Sequence, residues 1–129
     1  MAASAPIADD QTVYRGLRNS NWCKHGIVNY KAFMLRPGND QNPPEEELSL
    51  GLTPDSAVDE LHEHHGTAAL SVLGVRSLPH NLHVLPDPDN ETKAEMHGLP
   101  LFSTDSTQRD LAIAIATDLA GISWHVVVP

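Results

Sequence analysis

The chain has one cysteine, Cys23, in 129 residues, so no internal disulfide framework holds it together. A lone thiol fits a reducing compartment, and the expected location is cytoplasmic. Aromatic residues are nearly as scarce, two each of Trp, Tyr and Phe, which leaves Leu, Ile and Val to fill the interior. No apolar run approaches the roughly 20 residues that a membrane-spanning helix needs, so no membrane association is expected. Residues 1–11 have neither a basic start nor an apolar middle; they read as a flexible, Ala-rich leader rather than a secretory signal. Basic residues are also few, eight against 17 acidic ones, for a net charge of −9 with histidine neutral. Nonspecific nucleic-acid binding needs a basic surface to displace counterions, and this balance argues against it. No CxxC, HExxH, GxGxxG, Walker A or GxSxG motif is present, nor are paired carboxylates in a catalytic spacing.

What is plentiful is punctuation: ten prolines and eight glycines imply short elements joined by turns. The length suits one compact core, expected over residues 12–129. Thr12 to Leu17 predicts a strand with Val13 and Arg15 on one face and Tyr14 on the other. Further extended segments are predicted at Ile27 to Met34, Leu48 to Leu52, Ala68 to Leu78, Asn81 to Leu85, Ala94 to Leu99 and Ile122 to Val128. Between the first two of these, Arg36 to Glu47 combines Pro-Gly, Asn-Asp and Pro-Pro and predicts a loop. Thr53 to Gly66 carries the signals of a complete helix: Thr53 as N-cap, Pro54 in the first turn, Asp55 at the positive end of the dipole and Gly66 at C′. A second helix is expected from Asp105 to Leu119, capped by Asp105 with Gln108 and burying Leu111, Ile115 and Leu119. The sum is an α+β domain, two main helices packed on a largely antiparallel sheet of short strands.

The charges are segregated. Arg15, Arg18, Lys24, Lys31 and Arg36 lie in the first 36 residues, whereas Pro37 to Val75 has no Lys or Arg and eight carboxylates. Such a basic first third either pairs with the acidic middle or leaves a basic recess for an anionic small molecule. Candidate ligand-binding residues are therefore Tyr14, Arg15, Arg18 and His65. A guanidinium on a rigid strand, such as Arg15, can grip a phosphate or carboxylate through two parallel hydrogen bonds, although pairing with the acidic segment is its simpler fate. The densest group of possible metal ligands is His62, His64 and His65, with His80, His83 and His97 as remote partners. The candidate zinc set is His62, His65 and His83, weighed against a solvated helix end with one histidine packed inward. Cys23 beside Lys24 and His25 has cationic neighbours in sequence, but a buried, inert thiol is the plainer reading.

An early-strand Arg15, a mid-chain strand residue Ser49 and the later Glu95 resemble the layout of ADP-ribosyltransferases. That resemblance implies an arginine on the NAD pyrophosphate, a serine orienting the nicotinamide ribose, and a glutamate stabilising the developing oxocarbenium charge. The family's Ser-Thr-Ser is reduced here to Leu48-Ser49-Leu50, and Glu95, with Lys93 and His97 two positions away on either side, is not part of a Glu-x-Glu. The string Tyr14-Arg15-Gly16-Leu17, Ala32-Phe33, Leu48-Ser49, Gly66, Asp87 and Gly98-Leu99-Pro100 also resembles a group of short, mainly cyanobacterial proteins of uncharacterised activity. Many of that group carry a histidine five positions before the glycine of Gly-Leu-Pro, where this chain has Lys93, with His97 immediately before Gly98. The leading expectation is a small binding domain for a protein partner or a small anionic ligand, with no cofactor and with homodimerisation compatible. The alternatives are a compact, toxin-like transferase using NAD through Arg15, Ser49 and Glu95, and a histidine-based metal hydrolase using zinc.

Overall fold

The computed structural model describes residues 6–128, and its strands are β1 (Thr12–Gly16), β2 (Cys23–Lys24), β3 (Ile27–Val28), β4 (Leu48–Gly51), β5 (Thr67–Ser71), β6 (His83–Pro86), β7 (Lys93–His97) and β8 (Trp124–Val126). Six of them form one sheet in the order β6-β7-β4-β1-β5-β8, and every adjacent pair is antiparallel. β2 and β3 form a separate ribbon, turned by His25 and Gly26, both at positive φ. The helices are α1 (Pro54–Val58), α2 (Val72–Ser77) and α3 (Ser106–Ile122). The α+β class with an antiparallel sheet is thus observed, with one long helix rather than two. Among the described residues no helix is long and apolar enough to cross a membrane.

Alternation along the strands assigns the two faces of the sheet. Val13 and Arg15 of β1 share one face with Leu48 and Leu50 of β4, Leu70 of β5, Val84 of β6 and Met96 of β7. This face carries the core, where those aliphatic residues join Phe33, Ile115 and Leu119 from a 3-10 turn (Tyr30–Phe33) and from α3. The opposite face is covered in part by α1, which rests on two glycines. A Cβ on Gly51 would stand 2.6 Å from Ser56 Oγ and closer still to the Ala57 backbone, and one on Gly16 would also strike Ala57. Lys93, opposite Gly51 in β7, is buried on the same side. Its Nζ donates to the Ser56 carbonyl (2.5 Å) and the Asp59 carboxylate (2.7 Å), which fastens the end of α1 to the sheet.

The expected start of this helix is correct and its expected length is not. Thr53 Oγ1 accepts from Ser56 N and Ser56 Oγ accepts from Thr53 N, a reciprocal cap, but α1 ends at Val58 instead of reaching Gly66. The chain beyond it is taken up by the sheet: His65 N donates to the Leu17 carbonyl and Leu17 N to the Gly66 carbonyl, prolonging the β1 pairing. Gly66 does adopt positive φ, in service of this junction, where a Cβ would lie 2.6 Å from the Val126 carbonyl. The extended run predicted from Ala68 to Leu78 also breaks, because Ser71 Oγ accepts from Gly74 N and caps α2. Likewise Asn29 caps the 3-10 turn that replaces most of the segment predicted from Ile27 to Met34. α3 has the expected Asp105–Gln108 cap and runs through Gly121, and Leu111 is half exposed while Ile115 and Leu119 are buried. The expected leader divides. Residues 1–5 lie outside the described region, but Ile7 is buried in the core and Arg76 donates to its carbonyl, which corrects the reading of all of residues 1–11 as mobile.

Candidate functional site

Ser49 and Glu95 stand directly opposite one another on β4 and β7, on the α1 side of the sheet but beyond the helix itself. The loop following Arg36 arches past them and encloses a recess of about 970 Å³ whose walls include Arg18, Arg36, Glu45, Glu47, Ser49 and Glu95. The loop's base is fixed by its own ends. Glu45 Oε1 accepts from Arg36 N at 2.7 Å, Glu45 N donates to the Arg36 carbonyl, and the two side chains form an ion pair at 3.2 Å. Partial burial pushes the Glu45 carboxyl up, but the hydrogen bonds and charge of Arg36 outweigh it and hold the group below the usual carboxylate range. Nearer the tip, Asn39 Oδ1 accepts from both Gln41 N and Asn42 N, closing a tight turn. The acidic segment therefore does pair with the basic third, and it does so through Arg36.

Arg15 takes a different place. Alternation puts its side chain on the core face, and only 8 % of the residue is exposed. Its Nε donates to the Ala32 carbonyl at 2.9 Å and its Nη1 to the Ser49 carbonyl at 3.2 Å. The guanidinium thus lies behind the strand whose serine faces the recess, bonded to backbone and not to the acidic segment as the simpler sequence expectation had it. Burial pushes its pKa down to about 10, an effect opposed by Glu45 and reinforced by Arg18 and Arg36. It remains a cation at neutral pH. Trp22 lies under two of these cations, with the Arg15 and Arg18 guanidinium carbons 5.6 and 5.5 Å from its ring centre.

Arg18 is the cation left to the recess. Partial burial and then Arg36 lower its pKa, with Glu45 acting in the opposite direction. No carboxylate among the described residues lies within 4.0 Å of it. The recess therefore holds two guanidiniums, Arg36 paired with Glu45 and Arg18 unpaired, together with the carboxylates of Glu46, Glu47 and Glu95 and the Ser49 side chain. His97 Nε2 lies 3.1 Å from Glu95 Oε1.

Of the residues singled out by sequence, Arg18, Ser49 and Glu95 line this recess, and Arg15 supports it from the other face of the sheet. Tyr14 lies on the α1 face of β1, opposite Gly51 and Ala69, outside the recess. His65 is also outside, at the β1–β5 junction, where its carbonyl accepts from the His125 ring. His83, on edge strand β6, is separated from β1 by β7 and β4, so His62, His65 and His83 do not converge. Among the described residues no group of three or more His, Cys, Asp or Glu side chains is placed to hold a metal ion. Arg36, Glu45 and Trp22 were not singled out. The first two had a legible signal, opposite charges at the two ends of a Pro- and Asn-rich loop, whereas nothing local marks Trp22. No protein-family model matches the chain, and neither does any curated protein or solved structure.

Proposed function

We propose that the chain binds a small anionic ligand in the recess between its acidic loop and the β4–β7 pair. The observation that carries this reading is Arg18, a guanidinium on the recess wall with no carboxylate partner among the described residues. A guanidinium presents a planar fork of donors matched to phosphate or carboxylate. Arg36 nearby is already paired with Glu45, so Arg18 is the group that an anion would neutralise. In the same recess Ser49 and Glu95, with Glu46 and Glu47, offer acceptors suited to hydroxyl groups, so the favoured ligand is anionic at one end and polyhydroxylated at the other. Calorimetric titration with ADP-ribose, NAD and pyrophosphate tests it. Arg18→Ala is expected to weaken at least one of these by tenfold or more; binding that is unaltered in this variant, or absent for all three, defeats the proposal.

A second reading, NAD-dependent ADP-ribosyl transfer, has one specific observation in its favour: Ser49 and Glu95 are cross-strand neighbours in one recess, and Arg15 is bonded to the backbone of that same serine. In such a reaction the bond from ribose C1′ to the nicotinamide nitrogen breaks, its electron pair leaves with nicotinamide, and a nucleophile bonds to C1′. Glu95 would stabilise the positive charge on the ribose, a role that requires its carboxylate ionised. Arg15 then acts by holding the β4 backbone, and Arg18 takes the pyrophosphate. Nicotinamide release from NAD, lost in Glu95→Gln while binding of ADP-ribose persists, is the expected result. Release that is equal in the variant and wild type, or undetectable in wild type, leaves binding alone.

A further inference from the structure

A second pocket of about 420 Å³ opens on the other side of Arg36 and Pro37, between the 3-10 turn at Tyr30–Phe33 and the start of α3. Its apolar walls include Trp22, Met34, Leu101 and Phe102. Leu101 and Phe102 are adjacent in sequence, and each is about half exposed. Lys31, Arg36 and Arg109 line the same pocket, which has no Asp or Glu in its walls. In a chain with 17 acidic and eight basic residues, three cations and no acid around one apolar pocket is a strong local inversion of charge. Of the three, only Arg36 has a carboxylate partner, Glu45; Lys31 and Arg109 have none among the described residues. The volume falls within the usual range for small-molecule sites and is far too small for a folded domain.

We infer that this pocket binds a small amphipathic anion: an apolar chain or ring seated against Trp22, Met34 and Phe102, with an acidic head group between Lys31 and Arg109. The assignment follows from charge complementarity and stands apart from the ligand of the first recess. A carboxylate or phosphate head compensates two unpaired cations, whereas the apolar body removes half-exposed Leu101 and Phe102 from water. A cationic amphiphile would meet three like charges, and a neutral one would leave the cations as they are.

Octanoate, octyl phosphate, octanol and octylamine separate these requirements, with Trp22 fluorescence as the readout in a Trp124→Phe background. Trp124 is half exposed on edge strand β8, so its replacement is mild. Both anions are expected to bind at least tenfold more tightly than octanol, and octylamine not measurably. The double variant Lys31→Glu with Arg109→Glu, at exposed positions, is expected to lose that preference, and Phe102→Ala to weaken all binding. Binding by octanoate alone assigns a carboxylate head, and by octyl phosphate alone a phosphate head; both support the site. Equal binding of octanol or octylamine overturns it, as does no binding by any probe. Sedimentation that shows a dimer abolished by Leu101→Asp overturns it in favour of a second copy of the chain.

Discussion

At the scale of single residues, the two arginines three positions apart do different work because alternation sends them to different surroundings. Arg15 satisfies two buried carbonyls, those of Ala32 and Ser49. Removing it strands both acceptors, so Arg15→Met is expected to cost about 2–4 kcal/mol in urea unfolding. Arg18→Ala removes no protein hydrogen bond, only the contact with the Trp22 ring, and is expected to cost no more than about 1 kcal/mol while losing anion affinity. Equal destabilisation by the two would show that this division is mistaken. Glu45 provides the pH test. Its folded pKa is depressed by Arg36, so the stabilisation it gives is present above the unfolded value of about 4.3 and is lost as pH falls through the folded value. Urea midpoints of Glu45→Gln should lie below those of wild type at pH 7 and converge with them below pH 4. Curves that stay parallel down to pH 3 would remove Glu45 from the acid response.

At the scale of elements, what was legible is what local chemistry controls. The alternation of Val13, Tyr14 and Arg15, the Thr53 and Asp105 caps and the acidic loop could all be read from neighbouring residues. What was not legible depends on partners distant in sequence. The run from Asp59 to His65 has the composition of a helix end, yet Lys93 takes Asp59 and Leu17 takes the backbone of His65. The site divides the same way: Ser49 and Glu95 could be picked out as residue types, but their register across β4 and β7 and the turning of Arg15 to the core face come from sheet assembly. The contact that seats α1 is equally nonlocal. Gly51→Ala is expected to destabilise by about 1–3 kcal/mol, because the new methyl group displaces the Ala57 backbone from the sheet. Gly121→Ala is the matched control: its Cβ meets nothing within 4 Å, and alanine favours the helix by about 0.5–1 kcal/mol. Chemical denaturation that ranks the two variants the other way would show that α1 does not bear on the strand.

At the scale of the whole molecule, the sheet is held to its surroundings by contacts spanning most of the chain, and Arg76 gathers three of its parts. From α2 its guanidinium reaches the Ile7 carbonyl (2.7 Å), the Asp9 carboxylate (2.7 Å) and the Val84 carbonyl on β6 (3.1 Å). Backbone bonds from Val72 to Gln11 and from Leu73 to Asp9 seat the same early segment on the start of α2. Two kinds of force are available to hold it: burial of Ile7, which is 5 % exposed, and the Arg76–Asp9 ion pair, whose carboxylate is mostly in solvent. Magnitudes decide between them. Truncating a buried isoleucine to alanine costs about 2–5 kcal/mol, whereas an exposed ion pair contributes about 0–1 kcal/mol and is screened by salt. Ile7→Ala should therefore lower the urea midpoint strongly and independently of ionic strength, and Asp9→Asn only slightly, with that small effect fading in 1 M salt. A large, salt-sensitive loss in Asp9→Asn beside a neutral Ile7→Ala would mean that charge rather than burial joins the beginning of the chain to its centre.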